Sequence, residues 1–252
     1  MENAKWRNIR AKFPTAFTSA KMRKMFVIME NMTEQLLQNL EVYAKSDTPL
    51  NIKSEISKFT MDIISSCALG IKTNTMKNEN EELLGFGRKF FDDQWNVYNN
   101  SIVITIPRWI LHKLNFRVMT KRTEEYFFNL FQRVIRNYRK ENQVRRGDLA
   151  DIILGLTEKH ENQRDFSGKQ PMEPINLDEF TSQCLVFLAA SFETSSSTQT
   201  FALFELAKNP ECQEKLRKEI IEVLAKHDDK ITYDAVMEMK YLEKVVDGFF
   251  KR

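Results

Sequence analysis

Helix breakers are scarce in this chain: 252 residues hold only 7 glycines and 6 prolines. Little interrupts helical hydrogen bonding, so long helices are the expected form. The three cysteines, Cys67, Cys184 and Cys212, are odd in number and widely spaced. That argues against a disulfide framework and for a reducing, cytosol-facing compartment. None stands at metal-site spacing from a histidine. No run approaches the roughly 18 apolar residues that a membrane-spanning helix needs, and the opening "MENAKWRNIRAKF" lacks the apolar core of a signal peptide. Neither charge dominates. With 38 basic and 35 acidic residues the net charge is +3, which leaves no nucleic-acid footprint.

Abundance lies elsewhere, in 19 phenylalanines and 11 methionines. They imply a soft, aromatic interior, which suits either a pocket for apolar ligands or plain core. The length allows one large domain or two small ones, with enough chain to bury a real core.

Periodicity divides the chain into about ten helices with hardly any strand signal and no internal repeat. A first helix carries Trp6 and Arg10 and stops at Pro14. The next, "TSAKMRKMFVIMENMTEQLLQNLEVYA", is capped by Thr18 or Ser19 and places Met22, Met25, Phe26, Met29, Met32, Leu36, Leu37 and Leu40 at three-and-four spacing. A third spans 52–69 and is closed by Gly70, with Ile56, Phe59, Ile63, Ile64 and Cys67 on its face. The polar loop "KTNTMKNENEE" leads to a Phe-rich helix over 83–92 and an irregular apolar stretch. A helix over 120–141 buries Tyr126, Phe127, Leu130, Phe131, Val134, Ile135 and Tyr138, and basic residues crowd its last turn as the dipole favours. The short helix "DLADIILGLTEK" precedes the loop "NQRDFSGKQPMEPIN". The pattern over 177–208 is one helix of roughly 45 Å at 1.5 Å per residue, enough to cross a domain, and Asn209-Pro210 ends it. "PECQEKLRKEIIEVLAKH" opens with proline in its first turn and turns Leu216, Ile220, Ile221 and Leu224 inward. A helical turn over 233–239 and a last helix from 241 follow.

One tract contradicts its surroundings. Between Ser191 and Thr200 the long helix carries seven hydroxyl side chains and the carboxylate of Glu193, flanked on both sides by apolar residues. Ser and Thr each cost very roughly 0.5 kcal/mol against Ala inside a helix, about 2 to 4 kcal/mol for the tract. Their hydroxyls can bond back to the carbonyl four residues earlier and bend the helix, which frees backbone groups to hold water or a small polar ligand. A buried Glu193 beside Thr194 would then be a proton donor connected to that water. The alternative is a simple joint between two helices, or a solvent-facing row of hydroxyls.

"AASFETSSST" resembles the oxygen-binding helix of the cytochrome P450 haem-thiolate monooxygenases. The family pattern of small residue, Gly, any residue, acid, Thr, Ser or Thr is met by Ala190, Ser191, Phe192, Glu193, Thr194 and Ser195, with Ser191 where Gly is expected. "WRNIR", "FTSAKMRKMF", "FTMDIISSCALGI", "LAKNPECQEKLRKEI" and "KYLEKVVD" resemble further family segments in order and spacing. Together they are most similar to the insect microsomal branch that handles xenobiotics and other lipophilic compounds. The resemblance implies a mainly α fold with one long central helix, a partial cytochrome P450 catalytic domain over 1–252 with most of its β-sheet portions missing.

By the same resemblance, Trp6 and Arg10, four apart on one helix face, would meet a haem propionate, which the planar guanidinium fork suits. Ala190 and Ser191 would lie against haem b. Thr194 would hydrogen-bond dioxygen and relay protons supplied through water by Glu193. Ser191 narrows the groove by a side chain. Phe86, Phe90, Phe187 and Ala190 would line a pocket for a small lipophilic substrate, and equally suit plain core. Electrons would come from NADPH through NADPH-cytochrome P450 reductase. The apolar stretch "SIVITIPRWILHKLNF" would touch the endoplasmic-reticulum membrane on its cytosolic face, or fold onto its own core.

Two family features do not carry over. The loop F-x-x-G-x-x-x-C-x-G, whose thiolate holds the iron, has no counterpart here, so no metal ligand is named. After "KYLEKVVD" the expected E-x-x-R pair is replaced by Gly248, Phe249, Phe250, Lys251 and Arg252. A product truncated at both ends, inactive alone, is the expectation. A rival reading is a non-catalytic helical protein that binds the reductase or the membrane surface through Lys5, Arg7, Arg10, Lys12, Lys21, Arg23 and Lys24.

Overall fold

The structure, a computed structural model, describes residues 10, 17–46, 48–77, 81–99, 106, 110, 113, 119–140 and 177–250. Among these, eight α-helices and one 3-10 turn form the fold, against the expected ten or so. The helices are α1 (Ser19–Ser46), α2 (Ile52–Leu69), α3 (Glu81–Asn99), α4 (Lys121–Lys140), α5 (Leu177–Lys208), α6 (Pro210–Leu224), α7 (Tyr233–Glu238) and α8 (Lys240–Phe250). The expected helix around Trp6, the short helix over 148–159 and the loop after it lie outside the described residues, as does most of the apolar stretch over 101–116.

α2 is the strut of the molecule. Its ends follow from local chemistry: the Asn51 side chain accepts from Ser54 N at 3.1 Å, and Gly70 closes the helix at φ 60°, a conformation that favours a residue without Cβ. Between these caps most of its residues are buried, Glu55, Thr60 and Asp62 among them. A helix buried on all sides needs neighbours on all sides. α1 covers one face, the 3-10 turn Thr75–Lys77 another, and α5 runs along a third.

The main core lies where α2, α3, α4 and α5 meet. Met61, Leu69, Phe127, Phe131, Leu188 and Phe192 are almost wholly sequestered there, each worth about 1.5–3 kcal/mol of burial. Ring pairs tie α3 to α4: Phe86 stacks on Tyr126 with centroids 4.0 Å apart, and Phe90 meets Phe127 edge-on at 6.4 Å. Burial, followed by the charge of Glu82, pushes the Tyr126 phenol up to about 12. A second cluster joins Leu36 of α1 to Ile56, Phe59 and Met76. A third joins Val223 of α6 to Ala235 and Met239.

Several boundaries and faces differ from expectation. The loop after α2 is not merely polar: Thr75 and Met76 are buried, because the sequestered Asp62 carboxylate draws the chain inward. Its Oδ1 accepts from Thr73 Oγ1 at 2.7 Å and Thr75 N at 2.9 Å, and its Oδ2 accepts from Met76 N at 3.1 Å. α3 continues to Asn99, past the expected 92, since no Gly or Pro stops its ladder. Leu37 and Ile221, both expected to face inward, are exposed. α1 packs through the narrow stripe of Met32, Leu36 and Leu40, and α6 through Ile220, Val223 and Leu224. A residue one position from such a stripe points about 100° away from it.

α6 and α8 pack against α5 and α7 packs against α6, and side-chain caps start α7 and α8. Thr232 accepts from Ala235 N at 3.1 Å to start α7. Glu219 of α6 accepts from Tyr241 N at 2.6 Å and Leu242 N at 2.8 Å, so a carboxylate satisfies the free amides at the start of α8. Arg23 of α1 forks onto Asp234 of α7 through both its terminal nitrogens, and its guanidinium lies 4.8 Å from the Tyr233 ring centroid. These contacts fasten the N-terminal half of α1 to α7.

Candidate functional site

The hydroxyl tract resolves into three settings on α5. Thr194 Oγ1 donates to the Ala190 carbonyl, Ser196 Oγ to Glu193 O at 3.0 Å, and Thr200 Oγ1 to Ser196 O at 2.7 Å. The expected back-bonding is therefore present, inside a helix that stays continuous over Leu177–Lys208. Apolar burial on one side compensates for the poor propensity. Cys184, Leu188 and Phe192 are buried against α2, α3 and α4.

The other side of α5 is open. Val186, Ala190 and Thr194 succeed one another at four-residue spacing and are all exposed, and Phe201 and Phe204 extend the exposed surface along the helix. Between Val186 and Phe201 the wall is built of small side chains, so it is shallow and suits a flat apolar ligand. Ser191, at the expected glycine position, is half-buried beside this wall.

Glu193 points elsewhere. Its carboxylate is not buried, contrary to expectation; it is one-third exposed and ion-paired with Lys53 of α2, Nζ to Oε1 2.7 Å. The same ammonium donates to Ser196 Oγ and Ser197 Oγ, both at 2.8 Å. An ammonium has three N–H donors, and all three are used. Ser196, wholly buried, accepts from Lys53 while donating to Glu193 O, so its single proton and one lone pair are both employed. About two turns further along α2, Thr60 Oγ1 lies 3.2 Å from Phe192 O. Thus α2 grips α5 within its polar tract, at Phe192, Glu193, Ser196 and Ser197. The sequence pattern singles out neither Lys53 nor Thr60. No local pattern marks them, since their partners lie 132 to 144 positions away.

The other expected site residues are placed unequally. Trp6 lies outside the described residues, and Arg10 is exposed. Phe90 is buried in the main core, while Phe86 is half-buried beneath Tyr126. Phe187 is half-buried, 6.1 Å from Phe17 by ring centroids. On α3, a Cβ at Gly87 would come within 2.6 Å of Met61 Cε and 3.5 Å of Phe192, so glycine there lets α3 approach α2 and α5 closely.

A cleft of about 230 Å³ opens at the far end of α5, lined by Glu205, Leu206, Cys212, Tyr241, Lys244 and Val245. A hydrogen bond to Cys212 pushes the Tyr241 phenol above its ordinary value. The polar tract takes no part in this cleft. Among the described residues no group of three metal-ligating side chains occurs, and no helix is long and apolar enough to cross a membrane.

A mainly helical domain threaded by one long helix, with an acid–alcohol pair midway along it, is the class that fold and site define. The cytochrome P450 family pattern matches residues 1–247, and the chain belongs to that family. It is 32% identical over 248 residues to a probable cytochrome P450 6a18 of Drosophila melanogaster, covering 98% of this chain and 48% of that relative. It is 31% identical over 254 residues to cytochrome P450 6A1 of Musca domestica, covering 100% and 48%. With cytochrome P450 6j1 of Blattella germanica the identity is 29% over 252 residues. The chain spans about half the length of these curated relatives.

Proposed function

We propose that this chain is the part of a haem monooxygenase domain that forms the oxygen-side wall of the haem pocket, within a protein that inserts one oxygen atom from O2 into a lipophilic substrate. The observation that carries this reading is the open side of α5: Ala190 and Thr194 present a shallow wall while Glu193, the adjacent residue, carries an acid. Haem b, when bound, supplies the redox chemistry of oxygen activation. The exposed small side chains fit one face of a flat macrocycle. No cysteine of this chain is assigned to the haem iron: Cys67 and Cys184 are buried, and Cys212 stands in the cleft at the end of α5.

The chain's own residues would divide the work. Ala190 and Ser191 set the distance of closest approach to the macrocycle. Thr194 keeps its hydroxyl proton on the Ala190 carbonyl at rest and can turn it outward to a ligand. Glu193 is the nearest proton source, general acid catalysis being worth typically 10²–10⁴ in rate. Trp6 and Arg10 are assigned to the propionates, and Phe86, Phe90, Phe187 and Ala190 to the substrate pocket. NADPH-cytochrome P450 reductase is the electron donor and the cytosolic face of the endoplasmic reticulum the location, both supported by likeness to the insect relatives. Detoxification of xenobiotics is the role this branch implies.

Haem titration of the purified chain tests the assignment. We expect it to perturb the haem spectrum, the perturbation to fall in Ala190→Trp and Thr194→Trp, and carbon monoxide to produce no normal thiolate-type Soret band. Perturbation that both tryptophans leave unchanged would remove the haem from this face. A normal thiolate band would overturn the expectation that the chain alone is inactive.

A further inference from the structure

We propose that Lys53 is a positioning residue for Glu193: its ammonium, seated on the Ser196 and Ser197 hydroxyls, holds the carboxylate on the α2 side of α5 and away from the open Thr194 face. The inference rests on the reading of Glu193 as the proton source.

Three observations carry it. The ammonium's donors are matched one for one by Glu193 Oε1, Ser196 Oγ and Ser197 Oγ at 2.7, 2.8 and 2.8 Å, so the lysine end is fixed by two groups of α5 even without the acid. Ser196 is itself locked, wholly buried and bonded to Glu193 O at 3.0 Å. Lys53 thus has a seat on the same helical turn as its partner. The pair is also accessible: the side chains are 36% and 33% exposed. In that setting an ion pair adds little stability, and the carboxylate can leave without stranding a charge in a dry interior. A deeply buried pair could not open at comparable ease, because the desolvation penalty of each ion would bind them together.

Two positions of the acid follow from this. When paired, Glu193 is held by Lys53 one residue away from Thr194, whose hydroxyl is occupied by the Ala190 carbonyl. When released, it remains on the turn that carries Thr194 and can reach water on the open face. The lysine remains on its two serines in both positions, so the latch resets. The hydroxyl-rich tract supplies the seat, and this explains why Ser196 and Ser197 are polar on the side of α5 that faces α2.

The test uses the full chain without haem, so its outcome is independent of the haem titration. A double-mutant cycle of Lys53→Met and Glu193→Gln in urea should show coupling of roughly two- to fivefold in the unfolding equilibrium constant. Lys53→Arg should keep most of that coupling. Proton–nitrogen spectra of the lysine ammonium groups give the readout that a merely structural role would not move. The Lys53 resonance should be slow to exchange in the wild type, shift in Glu193→Gln yet persist, and disappear only when Ser196→Ala and Ser197→Ala are combined. A Lys53 resonance identical in wild type and Glu193→Gln overturns the proposal and leaves the lysine as a clip between helices. Loss of the resonance in Glu193→Gln alone removes the serine seat and overturns the resetting latch. Absence of coupling in the cycle overturns the pair itself. In each case the haem-wall assignment would stand or fall by its own titration.

Discussion

Asp62 offers the sharpest test of how this chain holds its central helix. The carboxylate is 1% exposed and accepts from the backbone amides of Thr75 and Met76, which are themselves 1% and 5% exposed. Asp62→Ala strands both amides, and an unsatisfied buried donor costs about 1–3 kcal/mol. The two together predict a loss of about 4 kcal/mol. For a chain of this size each kcal/mol lowers Tm by about 2–4 °C, so the drop should be roughly 8–16 °C. Asp62→Asn keeps one acceptor oxygen for Thr75 N and Thr73 Oγ1 but turns a donor toward Met76 N, and should lose about 2 kcal/mol. Urea unfolding followed by circular dichroism, beside thermal melts, reads both. The reasoning fails if Asp62→Ala loses less than about 1 kcal/mol, or if the amide variant is as damaged as the alanine. Either result would mean that the turn over α2 finds its hydrogen bonds elsewhere.

Other expectations follow from the same geometry. Phe192→Ala, in the core at 1% exposure, should lose about 3–5 kcal/mol, whereas Phe201→Ala on the open side of α5 should stay within about 0.5 kcal/mol; chemical denaturation separates the two. The Tyr126 phenol, pushed up to about 12 by burial, should ionise well above the ordinary phenol value of about 10 in an ultraviolet titration. Because its folded value is above the unfolded one of about 10, its contribution is complete below that and is lost as the pH rises toward 12. Asp234 is held below its ordinary value by the hydrogen bond from Arg23. Its contribution is present above the unfolded carboxylate range and lost as pH falls through the lowered value. The difference in Tm between wild type and Asp234→Asn should therefore vanish in acid, and shrink in high salt.

The ends of α2 and the full span of α5 were legible because periodicity and adjacent residues mark them: an apolar stripe, a glycine, an Asn-Pro stop. The acid–alcohol pair was legible for a similar reason, since Glu193 and Thr194 are neighbours in an unusual run of hydroxyls. Exposure of Leu37 and Ile221 was not, because periodicity gives the centre of an apolar stripe but not its width, which depends on how many neighbours pack against it. The same limit hid the buried turn at Thr75 and Met76, whose polarity reads as loop until Asp62 is placed beneath it.

The order of the chain alone determined that it folds as helices, where most of them begin and end, which family it resembles, and that one helix carries an acid beside an alcohol. These are short-range matters of propensity, capping and spacing, and they need no knowledge of what lies across the fold. Only the tertiary structure decided that Glu193 turns toward Lys53 while Thr194 faces outward. Consecutive helical positions diverge by about 100°, and the side each one takes is set by which helix packs where. The ammonium seat joins residues more than 140 positions apart, a distance over which only packing, and no local pattern, can choose partners.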